Sequence, residues 1–258
     1  APQLWAWGGW RIGKLRKNCD KLCCILPFEE DWFGSRAVDT TFVGNPLLDK
    51  LNIDEFRRKK YDDFNQRKAR IALMPGSRPA EIDSLWQPMQ QIAIRLKEKY
   101  HDASFITVAV DSERREKLKA AQIPGFVCDY VKDSVHNTAN NVDFTLVASG
   151  SATLEVAAAG CPMVIMYQSS KIMWHLFGRW IIKTKYLSLV NILAKKELVP
   201  EFMPYFSSIE PIAKSIEQLL DNKDALARTS DLLIELVRPL AKKKACEQVA
   251  RIAIEMLS

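Results

Sequence analysis

The chain has 258 residues, 48% hydrophobic and 26% charged, with a formal net charge of +6. That is the length and composition of a globular protein with a full core, and the modest basic excess suits an anionic partner such as a membrane surface or a phosphorylated substrate. No zinc-finger, RNP or basic-region pattern points to nucleic acid, and no apolar run or signal peptide points to a membrane span.

In chain order, residues 1–45 read as the end of one α/β unit. They comprise a basic helix over 10–18, a strand over 21–26, a short helix, and a strand over 41–43. Residues 46–69, polar and charged from 52 to 68, read as a linker. From residue 70 strands and helices alternate. A short buried strand over 71–74 precedes a helix whose apolar positions, Ile82, Leu85, Met89, Ile92 and Leu96, recur at spacings of three and four. A strand over 105–110, a charged helix over 112–121, a strand over 126–130 and a short helix over 134–140 follow. The series continues with a strand over 144–148, a helix over 152–159 stopped by Gly160, and a fifth strand over 163–167. Continuous apolar strands separated by helices predict a Rossmann-like parallel sheet flanked by helices, assigned to residues 70–205. Residues 206–258 are helical, with amphipathic stretches over 212–220 and 226–237, a break or kink at Pro239, and a last helix over 246–257.

Two turns carry the chemistry. In Leu146-Val-Ala-Ser-Gly-Ser-Ala-Thr-Leu-Glu155 an apolar strand ends in small residues and a helix opens. Unpaired N–H groups at a helix start, with the hydroxyls of Ser149 and Ser151 and the openness of Gly150, suit a phosphate. Glu155 lies four residues beyond Ser151, on the same helical face, where its carboxylate can accept hydrogen bonds from a ribose diol. Pro75-Gly-Ser-Arg-Pro-Ala-Glu81 repeats the logic: Gly76 makes the turn, Ser77 follows, and Arg78 offers a guanidinium that grips phosphate. Both turns fall at the carboxyl edge of the predicted sheet, where ligands of open α/β folds bind. Each alone is also an ordinary strand-to-helix turn. Asn191, expected in a loop past the last strand, can reach the same edge or serve only as a turn residue.

The segment 172–183 places Trp174, Phe177 and Trp180 beside Arg179 on a helix-length stretch, which fits either a membrane interface or a core helix with one basic face. The three histidines form no triad or ligand spacing. The six cysteines show neither a disulfide framework nor zinc spacing, and read as free thiols in a reducing compartment. No metal and no cofactor is expected.

Taken together, the motifs resemble the bacterial lipid-A-disaccharide synthase family. They run in that family's order: Trp5-Ala-Trp7; Leu26-Pro-Phe-Glu29; Phe42-Val-Gly-Asn45 with Asp49; and Leu73-Met-Pro-Gly-Ser-Arg-Pro-Ala-Glu81. After these come Ala148-Ser-Gly-Ser-Ala-Thr-Leu-Glu155, Cys161-Pro-Met-Val164, and Lys183-Thr-Lys-Tyr-Leu-Ser-Leu-Val-Asn-Ile-Leu193 followed by Glu197-Leu-Val199. The resemblance implies a GT-B architecture, two Rossmann-like domains with the active site between them. It implies inverting transfer of 2,3-diacylglucosamine from UDP-2,3-diacylglucosamine to 2,3-diacylglucosamine 1-phosphate, without a metal, giving a β-1,6 disaccharide and UDP. By motif, Arg78 would contact the donor diphosphate, with Gly76 and Ser77 shaping its loop. Ser149, Gly150, Ser151 and Thr153 would cradle phosphate, Glu155 would bind ribose, and Asn191 would line the donor site. Trp174, Phe177, Arg179 and Trp180 would hold the protein to the cytoplasmic face of the inner membrane.

Two departures stand out. The family's acceptor domain, with the Asp proposed as general base, has only its end here, in residues 1–45. No catalytic residue is therefore expected in this chain, which by itself should lack transferase activity, and a fragment of a longer enzyme is the simplest account. Asn45 stands where the family more often has His. Two other readings compete: a different GT-B glycosyltransferase or UDP-sugar epimerase, and a non-catalytic UDP-sugar- or membrane-binding protein. The amphipathic tail after Pro239 is a candidate for exchange between subunits of a homodimer.

Overall fold

In the computed structural model, which describes residues 1–109, 111–169 and 184–257, the chain opens with helices α1 (Leu4–Trp7) and α2 (Ile12–Asn18). Strands β1 (Leu22–Cys24) and β2 (Thr40–Phe42) pair in parallel, with helix α3 (Pro27–Gly34) as their crossover. Leu4, Trp5, Leu22, Leu26, Phe33 and Val38 form their shared core. Pro27 at the first helical position and Glu29 in the first turn start α3. The segment 172–183, with Trp174, Phe177, Arg179 and Trp180, lies outside the described residues.

The main sheet holds β3 (Arg70–Met74), β4 (Ser104–Val108), β5 (Asp129–Val131), β6 (Phe144–Ala148), β7 (Met163–Met166) and β8 (Glu201–Phe202). All neighbours are parallel, in the order β5-β4-β3-β6-β7-β8. Its helices are α4 (Pro79–Lys99), α5 (Ser112–Ala120), α6 (Val135–Asn140), α7 (Ala152–Ala158), α8 (Leu189–Ala194), α9 (Glu210–Leu220), α10 (Lys223–Ala241) and α11 (Ala245–Glu255). Alternate strand residues feed two cores. Ile71 and Leu73 pack with α4 and α9 on one face, and Ala72 and Met74 with α7 and α10 on the other. The five apolar positions read from the spacing in α4 are all buried. Residues 46–69 contribute buried Leu48, Phe56 and Tyr61, and Tyr61 Oη donates to Asp143 O at 2.7 Å.

Four local expectations are revised. The strand expected over 126–130 begins only at Asp129, because Phe126 turns inward to stack edge-on against Trp86. Helix α10 runs through Pro239 to Ala241, since a proline in the last turn removes only a terminal hydrogen bond. Asn191 lies in α8 rather than in a loop. β8, two residues long, adds a sixth strand that has no periodic signal of its own.

Candidate functional site

Strands after β3 step outward one way, to β4 and β5, and strands after β6 step the other, to β7 and β8. β3 and β6 are neighbours, with Met74 paired to Val147. The loops that leave their carboxyl ends therefore lie side by side, at the point where strand order reverses. Gly76, Ser77, Arg78, Ser149, Gly150 and Ser151 line one cleft of about 120 Å³. The two turns read as anion-friendly thus line one cleft.

Each loop is held from within. Gly76 has φ +100°, and a Cβ there would lie 2.3 Å from Glu81 Oε2, so only glycine fits. Glu81 Oε2 accepts from Ser77 N at 3.1 Å and Arg78 N at 3.2 Å, and its Oε1 accepts from Arg78 Nη1 at 3.0 Å. The carboxylate fills the N–H nest of this turn, and the Arg78 side chain, 81% exposed, is the cation that the turn presents at the cleft. From the other side Arg114 Nε donates to Ser77 O at 2.8 Å, while Arg114 Nη1 pairs with Asp111.

The second loop is open. Gly150 and Ser151 are exposed, and a Cβ on Gly150 would meet nothing within 4 Å. Ser151 makes no side-chain capping bond, so its hydroxyl is available to a ligand. Thr153 is buried, and its Oγ1 donates to Gly150 O at 2.7 Å. It braces the turn and does not present its hydroxyl to the cleft. Ser149 N donates to Met166 O at 2.9 Å, tying the loop to β7. Glu155, one turn into α7, is half-buried; burial pushes its carboxyl above the usual range, against the opposing pull of Lys50.

Asn191 lies apart from the cleft. It is fully buried, its Nδ2 donating to Val199 O and Glu201 Oε2, each at 2.8 Å. Its Oδ1 accepts from Leu198 N and Val199 N. Every polar position of the amide is matched by the protein, so the side chain ties α8 to β8. Glu201 completes the knot by accepting from Leu187 N and from Ser188 N and Oγ.

Sequence reasoning missed Glu81, Arg114, Lys50 and Glu201 as parts of this arrangement. Glu81 had a signal, since it stands three residues after the helix-capping position Arg78. The other three are brought in by tertiary contacts alone. Among the described residues, no group of three or more His, Cys, Asp or Glu side chains is placed to hold a metal ion.

Comparison with known proteins bears on the family and the fold. A family model described as lipid-A-disaccharide synthetase matches residues 1–256. The chain is 30% identical to a lipid-A-disaccharide synthase of Geobacter sulfurreducens, over 100% of this chain and 67% of that protein. It is 29% identical to one of Syntrophotalea carbinolica, over 99% of this chain and 66% of that protein. The chain thus spans about two thirds of the length of these relatives. In structure it resembles S. aureus MnaA, solved with UDP, at a TM-score of 0.58 and 14% identity, over 92% of this chain and 60% of that one. That likeness is one of fold, the GT-B type.

Proposed function

The chain belongs to the lipid-A-disaccharide synthetase family, a family of glycosyltransferases, and on that premise we propose that it is the UDP-sugar-binding part of such an enzyme. The observation that carries the reading is the meeting of the 76–78 and 149–151 turns in one cleft at the strand-order reversal. In this reading residues 70–205 form the donor-binding domain, 1–45 the end of an acceptor domain, 46–69 their connection, and 206–258 helices that pack across them. The donor diphosphate lies against Arg78 and the open 149–151 turn, and the Glu155 carboxylate accepts hydrogen bonds from the ribose hydroxyls.

The reaction proposed is transfer of 2,3-diacylglucosamine from UDP to 2,3-diacylglucosamine 1-phosphate. A bond forms from the acceptor hydroxyl oxygen to the anomeric carbon as that carbon's bond to UDP breaks, with inversion. The hydroxyl proton passes to a base outside this chain, and Arg78 stabilises the charge gathering on departing UDP. Both substrates carry acyl chains, so the proposed place of work is the cytoplasmic face of the inner membrane. Among the described residues no helix is long and apolar enough to cross a membrane. Val249, Ile254, Met256 and Leu257 are exposed on and just after α11, which supports a homodimer formed through the C-terminal helices. Measuring the mass in solution tests that element, and a strict monomer rejects it.

The experiment for the central reading is calorimetric titration of UDP into the chain and into its Glu155→Ala variant. Binding that the substitution weakens supports the donor site. A folded chain that does not bind UDP overturns it.

A further inference from the structure

The peptide unit between Ser77 and Arg78 is clamped at both ends. Its N–H, on Arg78, donates to Glu81 Oε2 at 3.2 Å, and its C=O, on Ser77, accepts from Arg114 Nε at 2.8 Å. The orientation of this unit fixes where the Arg78 side chain leaves the backbone, and so where its guanidinium lies at the cleft. Gly76, just before it, has φ +100°, and glycine is free to adopt other backbone conformations. The turn therefore keeps one orientation through what holds it from outside. We propose that Arg114 is a positioning residue of the donor site, acting on Arg78 through this peptide unit; the inference rests on the reading of the cleft as a UDP-sugar site.

The mounting of Arg114 makes it an anchor. β4 lies beside β3, so the chain that leaves β4 arrives alongside the Gly76 turn. Asp111 accepts from Arg114 N at 2.8 Å and also pairs with Arg114 Nη1, so one carboxylate holds both the backbone and the guanidinium. Helix α5, which carries Arg114, is itself fixed to α4: Trp86 Nε1 donates to Leu118 O at 2.8 Å, and both residues are buried. A second tie, from Lys117 Nζ to Asp83 Oδ1 at 2.7 Å, joins the same two helices without touching the turn. Arg114 is not one of the cleft's walls, and the Asp111 carboxylate offsets its charge. It acts on an anion through geometry, by way of Ser77 and Arg78, and little through its own field.

The test is calorimetric titration of UDP into the chain, into Arg78→Ala, Arg114→Met and the double variant, and into Lys117→Met. Methionine keeps much of the Arg114 stem and removes its donors. Arg114→Met should weaken UDP binding about fivefold in the parent background. Once Arg78 is alanine its effect should fall below about twofold, because a residue that acts through Arg78 has nothing left to position. Lys117→Met loosens α5 but spares Ser77 O, and should leave UDP affinity unchanged. Asp111→Asn, which releases the guanidinium but can still cap α5, should weaken binding in the same Arg78-dependent way, and takes the place of Arg114→Met if that variant does not fold. The role is overturned, with UDP still bound by the parent, if Arg114→Met costs nothing or costs the same factor in both backgrounds. An equal loss from Lys117→Met, or an Arg78→Ala variant of parental affinity, overturns it too. Failure of the parent chain to bind UDP overturns the donor reading and this inference together.

Discussion

The Glu81 carboxylate accepts one hydrogen bond from the backbone N–H of Arg78, at 3.2 Å, and another from that residue's guanidinium, at 3.0 Å. One side chain thus starts helix α4, closes the Gly76 turn and sets the direction of the cation at the cleft. Glu81→Ala removes all three effects. The expected loss is about 1–2 kcal/mol of stability, the scale of a helix cap, together with weaker UDP binding. Denaturant unfolding and calorimetry measure the two separately.

Arg78→Ala separates binding from folding. Its guanidinium is exposed, so its removal should scarcely alter stability. The expected loss of UDP affinity is about 1–3 kcal/mol, the range for a hydrogen bond to a charged group. Unchanged affinity in calorimetry would remove Arg78 from the site.

Gly76→Ala tests the turn itself. The φ of +100° and the 2.3 Å approach of Glu81 Oε2 leave no room for a methyl group. Strain in the backbone and displacement of Glu81 should together cost more than about 1 kcal/mol. A melting temperature equal to that of the parent chain would show that the turn can relax.

Glu155 should make stability depend on pH. Burial raises its folded-state pKa above the unfolded value, so the folded chain holds this proton more tightly. The stability it contributes is fully present below the unfolded carboxylate pKa, about 4.3, and is lost as pH rises through the folded value. Glu155→Gln should therefore be more stable than the parent at pH 7, with the gap closing near pH 3, and should bind UDP more weakly. Urea unfolding at both pH values checks the sign; equal stability at pH 7 would contradict it.

Asn191→Ala distinguishes a binding role from a structural one. The substitution leaves Leu198 N, Val199 N and part of the Glu201 carboxylate without their partner. A stability loss of about 2–4 kcal/mol is expected, in the range of broken buried networks, with UDP affinity of the folded protein unchanged. Weaker UDP binding by a variant of parental stability would return Asn191 to the donor site.

Short-range regularities carried most of the secondary structure. The three-and-four spacing in α4, the apolar runs of β3, β6 and β7, and Gly160 at the end of α7 each reflect interactions within a turn or two of chain. They sufficed for an α/β fold and for both glycine turns, because a strand end followed by a helix start leaves its signature in adjacent residues. What these regularities could not convey was which loops meet. The 76–78 and 149–151 turns share a cleft only because β3 and β6 are neighbours in the sheet, a pairing set by burying both faces under helices. The same holds for Asn191, whose pattern read as a loop residue near a ligand. Burial beside Glu201 and Val199 gave all its hydrogen bonds to the protein, since a buried amide without partners is costly. Arg114 at Ser77 and Lys50 near Glu155 are likewise products of packing, joining residues far apart in the chain through contacts that exist only once the sheet has formed.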